Sequence, residues 1–181
     1  FLFVSLLSKN YNLHNLIKSL PSFLKNHKDT NFIIIGDGPY KEEIRKQIKY
    51  NKLENKVHLL GIRPHGEIPY YINNCDVGIG LLKYLKILRY VIPVKCLEYM
   101  ACAKCFITTA CSEDVIKSND TGLLLSNDYR NEELLNKMSK LIEDKKLREN
   151  LGQKGFNKIQ KRFRWDYLMD KLNNDLIDLK S

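Results

Sequence analysis

Six short apolar runs alternate with helix-patterned stretches along this chain, and that alternation restricts its fold more than any other feature. The runs cover residues 1–7, 31–35, 57–60, 76–82, 105–109 and 122–125. Several are almost continuously apolar, as expected for strands covered on both faces. Between them, helical patterns fall at 13–25, 40–50, 67–73, 93–102 and 114–118. Three more helices follow the last run, at 131–144, 146–161 and 165–179. This order predicts an α/β fold: a doubly wound, Rossmann-like parallel sheet of about six strands with extra C-terminal helices. Right-handed crossovers then place helices on both faces. Sheets of this kind bind ligands beyond the carboxyl ends of the strands, where strand order reverses. With the first and fourth strands flanking that point, the site is expected near residues 5–9 and 81–92.

A chain of 181 residues suits one domain, taken here as 1–181. It opens at Phe1-Leu2-Phe3-Val4 without a Met or a basic leader. The opening therefore reads as a strand, and the chain as a fragment of a longer protein. Hydrophobic residues make up 44% and charged residues 28%, the balance of an ordinary globular protein. No apolar run approaches the roughly 18–20 residues of a membrane span. The net charge of +9 favours anionic partners such as nucleotides, phosphorylated lipids or acidic membranes. A lysine-rich solvated surface accounts for the same balance. Lys154, Lys158, Lys161, Arg162 and Arg164 have no acid among them and lie beside Phe156, Ile159 and Phe163. That is a basic amphipathic helix, suited to an anionic membrane surface. No nucleic-acid motif accompanies it, so nucleic acid is not an expected partner.

The five cysteines, without a secretory signal, argue for reduced thiols and a cytoplasmic, membrane-associated setting. Cys102-x-x-Cys105 spans a helix end entering a strand, and no second pair completes a zinc site. His14, His27, His58 and His65 show no metal spacing, so no metal is expected.

The segment from Pro93 to Ala101 puts one carboxylate on a helix otherwise built for burial. Pro93 suits the first helical position. Val94, Leu97 and Ala101 share one face, expected to be the buried one, and Glu98 borders it. A carboxylate there needs a partner. Lys95, three residues back, offers about 0.2–0.5 kcal/mol at most. The alternative is a ligand hydroxyl at the mouth of the sheet. The free N–H groups at the start of this helix suit a phosphate in the same crevice. Upstream, Ile35-Gly36-Asp37-Gly38-Pro39 is a strand entering a sharp turn, where Gly36 and Gly38 tolerate positive φ. It is not G-x-G-x-x-G, which disfavours a nicotinamide-dependent enzyme. Val57-His58-Leu59-Leu60-Gly61 is a short strand whose closing glycine gives either a tight exit or a backbone edge open to a flat nucleobase.

The order of these pieces resembles the C-terminal donor-binding domain of glycosyltransferase family 4 enzymes, the glycosyl transferases group 1, which have the two-domain GT-B architecture. The residues that carry the resemblance are Gly36-Asp37-Gly38-Pro39, Val57 to Gly61, Cys75-Asp76-Val77, Pro93 to Ala101, Thr121-Gly122-Leu123-Leu124 and Phe163-Arg164-Trp165. The wording of the Pro93 segment is most similar to the lipopolysaccharide and capsule branch.

The resemblance implies a role for each matched position. Glu98 takes the place of the carboxylate that binds donor ribose. Gly61, Ile62 and Arg63 fall where the nucleobase is held. Pro93, Val94, Lys95 and Cys96 fall where the diphosphate sits, with Ser5, Lys9 and Gly36 around it. No cofactor is implied beyond the nucleotide-sugar donor, expected to be a UDP-sugar. Catalytic residues are not identified.

The sequence also departs from the family pattern. Tyr90 stands where a first glutamate is expected, and Ser5-Leu6-Leu7 where a Gly-Arg-Leu opening is. Tyr11 aligns with a common lysine, Ala103 with a glycine, and Cys111-Ser112 with a double glycine. Two readings follow. One is the donor half of a retaining glycosyltransferase that transfers a sugar to a polysaccharide, lipopolysaccharide or lipid-linked acceptor. Its N-terminal acceptor domain would then be missing from this chain, and the isolated 181 residues should turn over nothing. The other is a non-catalytic nucleotide-binding or interaction module of the same descent.

Overall fold

A computed structural model describes residues 1–83, 90–109 and 115–178 of the chain. Six strands form one sheet in the order β3-β2-β1-β4-β5-β6. They are β1 (Leu2–Val4), β2 (Phe32–Ile35), β3 (Val57–Gly61), β4 (Val77–Gly80), β5 (Cys105–Thr109) and β6 (Leu123–Leu125). Every pairing is parallel. The strand order reverses between β1 and β4, so the crevice of a doubly wound sheet opens where the sequence places it.

Side chains alternate across the sheet and divide the core in two. Phe3, Ile34, Val57, Ile79 and Ile107 face α1 (Leu13–Asn26), α2 (Lys41–Tyr50) and α5 (Asn131–Glu143). Leu2, Ile35 and Phe106 face α3 (Ile68–Asn73), α4 (Val94–Ala101) and α6 (Lys145–Arg162). This period of two is what a doubly covered parallel sheet requires. A last helix, α7 (Trp165–Asp178), buries no residue among those described.

Several expectations are corrected. The first strand is shorter than the apolar run, because residues 5–7 leave β1 to bond with the turn after β2. Ser5 N–H donates to the Ile35 carbonyl at 3.1 Å and Leu7 N–H to the Asp37 carbonyl at 2.8 Å. Pro93 caps α4 from outside rather than forming its first turn, with ψ of 126°. The face of α4 that packs is Cys96, Tyr99 and Met100, whereas Val94 is 68% exposed. The reason is β4. A Cβ on Gly78 would meet the Tyr99 ring at 2.6 Å, so the missing side chain makes room for a whole phenol on the strand. The Tyr99 hydroxyl then donates to the Leu2 carbonyl at 3.1 Å.

The expected helix at 114–118 does not form in its described part. Val115 and Ile116 are buried in a turn, and Ser118 makes a single bridge to Gly122. Asp114, Cys111 and Ser112 lie outside the described residues, as do residues 84–89 of the loop before α4. Ala103 adopts φ of 53°, a conformation that costs a residue with a Cβ. Among the described residues, no helix is long and apolar enough to cross a membrane.

Candidate functional site

The turn between β2 and α2 builds the floor of the site. Gly36 has φ of 139° and Gly38 φ of 153°. A Cβ on Gly36 would lie 1.8 Å from the Ser5 carbonyl oxygen. Glycine therefore lets this turn lie against residues 5–7, and the Gly36 N–H reaches across to the Gly61 carbonyl at 2.9 Å. Three strand ends are laced together by backbone bonds alone. Asp37 fixes the turn by accepting from Gly38 N–H at 2.7 Å and from Lys41 Nζ at 2.6 Å. The Lys41 bond is the main reason the Asp37 carboxyl titrates below its ordinary range.

Above this floor lies an open cleft of about 570 Å³. Its lining includes Ser5, Gly36, Ile62, Arg63, His65 and Ile68. Ile62 is 72% exposed, a large apolar side chain standing free at the rim. Arg63 has its Nε buried with no hydrogen-bond partner among the described residues. A guanidinium N–H in that position wants an acceptor. Gly61 has φ of 72° and open space where a side chain would be, so its backbone edge is accessible.

Helix α4 enters from the other side of the crevice. Glu98 does not pair with Lys95. Its Oε1 lies 3.8 Å from Nδ1 of His65, a cleft residue, and the contact is an ion pair only when His65 is protonated. The Glu98 side chain keeps 26% exposure, so a carboxylate stands half-open beside the cleft. Lys95 turns instead to the end of β1, where its Nζ donates to Ser5 Oγ at 2.9 Å. The ammonium lies 4.3 Å from the Tyr11 ring centroid and 5.1 Å from that of Phe3. Among the described residues, no carboxylate forms an ion pair with it. Burial pushes its pKa down to about 8, while Cys96 and Glu98 act in the opposite direction.

The site residues expected from sequence therefore separate into groups. Ser5, Gly36, Ile62, Arg63 and, through its backbone, Gly61 meet at the cleft. Glu98 and Lys95 join them from α4. Val94 is exposed at the first turn of that helix. Cys96 is fully buried, and its amide is taken by the Pro93 carbonyl at 2.9 Å. Lys9 is exposed on the 3-10 turn Lys9–Tyr11. His65, Tyr11 and Phe3 were not expected as part of this arrangement. No local spacing signals them, because each contact joins segments more than thirty positions apart.

Three thiols are withdrawn from this surface. Cys75, Cys96 and Cys105 are buried, and burial raises their pKa to about 11, 12 and 12. No group of His, Cys, Asp and Glu among the described residues has the geometry of a metal site.

The basic helix is not free on its apolar side. Ile159 and Phe163 pack into the core between α4 and α6. Lys154 lies 3.7 Å from Asp120, and Arg164 pairs with Asp166.

The family model described as glycosyl transferases group 1 matches residues 1–158. Alpha-monoglucosyldiacylglycerol synthase of Acholeplasma laidlawii is 28% identical over 98 residues, which is 50% of this chain and 25% of that protein. Alpha-D-kanosaminyltransferase of Streptomyces kanamyceticus is 23% identical over 152 residues, 84% of this chain and 38% of its own length. The chain thus spans a quarter to two-fifths of these curated relatives.

Among solved structures, the C-terminal domain of a glycosyl transferase group 1 family protein from Francisella tularensis superposes with a TM-score of 0.76 at 21% identity. That match covers 91% of this chain and 86% of the other. Anabaena Alr3699/HepE in complex with UDP gives a TM-score of 0.84 at 22% identity, over 98% of this chain and 49% of its own. These likenesses show the fold.

Proposed function

The chain belongs to the glycosyl transferases group 1 family, and from that premise we propose that it is the donor-binding half of a retaining family 4 glycosyltransferase using a UDP-sugar. The observation that carries this reading is convergence. Ser5, Gly36, Arg63 and His65 line one cleft at the carboxyl ends of β1, β2 and β3, beside the strand-order reversal, with the half-open Glu98 carboxylate against it. The Anabaena neighbour, crystallised with UDP, supports the choice of nucleotide.

In this reading Glu98 accepts hydrogen bonds from ribose hydroxyls. The Gly61 edge, Ile62 and the unpartnered Arg63 receive the base. The diphosphate lies over the start of α4, where the amides of Val94 and Lys95 follow the Pro93 cap and have no carbonyl one turn back. Ser5, Lys95 and Lys9 ring it. Negative charge builds on the leaving diphosphate as the sugar bond breaks. Fixed amides and a nearby cation stabilise it there without reorganising. The sugar would pass to a polysaccharide, lipopolysaccharide or lipid-linked acceptor held by an N-terminal domain that this chain does not include. The exposed apolar residues of α7, Trp165, Met169, Leu172 and Leu176, suit contact with that domain. A cytoplasmic site at an anionic membrane would use Lys158, Lys161 and Arg162 as charge alone, since the apolar side of α6 is spent on the core.

Titration of the chain with UDP, GDP and ADP tests the reading. UDP should bind with at least about a tenfold preference over ADP. Equal weak binding of all three, unaffected by Glu98→Gln, would favour a non-catalytic module.

A further inference from the structure

Lys95 is an unusual cation for a folded protein. It is largely withdrawn from water, yet no acid among the described residues neutralises it. Among the described residues its ammonium donates one hydrogen bond, to a neutral hydroxyl, Ser5 Oγ, at 2.9 Å. Two aromatic faces flank it, Tyr11 at 4.3 Å and Phe3 at 5.1 Å, while Glu98 acts on it through space without forming an ion pair. An aromatic face attracts an ammonium through its quadrupole without consuming an N–H in a strong hydrogen bond. A lysine ammonium carries three donors, so two remain for an acceptor from outside. The anchor points are rigid. Phe3 sits in β1 and is 2% exposed, and the Ser5 backbone is clamped against Gly36. The ammonium is therefore held at the end of β1, beside the cleft, before any ligand arrives.

We propose that Tyr11 and Phe3 are positioning residues that hold the Lys95 ammonium at the β1–β4 crevice as the anchor for the donor diphosphate. This rests on the donor-site reading above and adds to it a cation-π seat that the anchor depends on. An unneutralised, partly desolvated cation gains most from a doubly charged ligand, because the anion supplies the charge partner the fold withholds. The lowered pKa of Lys95 is the cost of waiting without that partner. The ring of Tyr11, not its hydroxyl, does the holding.

The test compares UDP with uridine on the full chain, by NMR titration, in Lys95→Met, Tyr11→Leu and Tyr11→Phe. Lys95→Met should weaken UDP about tenfold or more and leave uridine within about twofold. Tyr11→Leu should weaken UDP about threefold or more with the same indifference to uridine, and Tyr11→Phe should bind UDP like the unaltered chain. If Tyr11→Leu fails to fold, Lys95→Met and Tyr11→Phe still decide. UDP affinity unchanged in Lys95→Met overturns the proposal while leaving the donor site standing. Equal losses for UDP and uridine in Tyr11→Leu overturn the positioning role, because that is what a merely structural residue gives. If neither compound binds the unaltered chain, the proposal and the donor-site reading fall together.

Discussion

Two concave regions of this molecule make an instructive pair. The larger, about 670 Å³, lies along the edge strand β6 and helix α5. It is rich in charge, and its Glu133–Lys137 pair is satisfied within the fold. Glu133 takes Ser126 N–H at 3.0 Å and Lys137 Nζ at 2.7 Å, and also accepts from the Ser126 hydroxyl. The smaller cleft, at the ends of β1, β2 and β3, has fewer charges, and several in or beside it are left open among the described residues: Arg63 Nε has no hydrogen-bond partner, Lys95 no ion pair, and Glu98 only a distant imidazole. A satisfied surface needs no ligand. An unsatisfied one costs stability and is retained where a ligand supplies what is missing. Unmet hydrogen-bond and charge demand, not size, is what favours the smaller cleft as the proposed site.

The sharpest way to break this contrast is to fill the floor of the cleft. Gly36→Ala forces a Cβ to within 1.8 Å of the Ser5 carbonyl at a φ of 139°. Backbone strain and overpacking together should cost about 3 kcal/mol or more, read from denaturant midpoints, and should abolish UDP binding. Next come matched carboxylates from the two regions. Glu98→Gln should weaken both UDP and uridine about tenfold, a charged hydrogen bond's worth. Glu133→Gln should leave both unchanged and cost about 1 kcal/mol of stability at most, since the Glu133–Lys137 pair is only half-buried and Ser126 is exposed. The reverse ranking in a nucleotide titration would place the site along β6.

Away from either region, Ala103→Gly should stabilise the fold by about 1 kcal/mol by relieving its left-handed φ. A thermal melt reads this, and UDP affinity should not move.

A pH dependence adds a separate test. Lys95 titrates at about 8 in the folded chain against 10.5 ordinarily, so between these values the unfolded state binds more protons and stability rises with pH. Lys95→Met removes that rise and should hold or raise the melting temperature below pH 8. A cation kept for stability would behave in the opposite way.

The reversal between β1 and β4 was an assumption of the fold class, but the sheet itself was legible in the sequence because several of its strands are almost continuous apolar runs. The packing of α4 was not. Two apolar triplets, Val94-Leu97-Ala101 and Cys96-Tyr99-Met100, share the same helical period, and periodicity alone chooses neither. The small residue at Gly78, sixteen positions before Val94, decides for Tyr99. The same rotation of the helix sends Lys95 to Ser5 and leaves Glu98 near His65. Glu98, Lys95 and Ser5 were therefore expected at the site from sequence, while His65, Tyr11 and Phe3 were not. Tyr11 stood out in the sequence only as a lost lysine. Its ring carries the Lys95 ammonium through a contact between residues 84 positions apart, which no motif records.

The central claim is where the nucleotide sits, and amide chemical-shift mapping of the chain with UDP tests it most directly. The account predicts that shifts concentrate at residues 5–7, 36–38, 61–65 and 94–98, with residues 126–140 silent. Shifts centred on Ser126, Glu133 and Lys137 instead, or none at millimolar UDP, would contradict it.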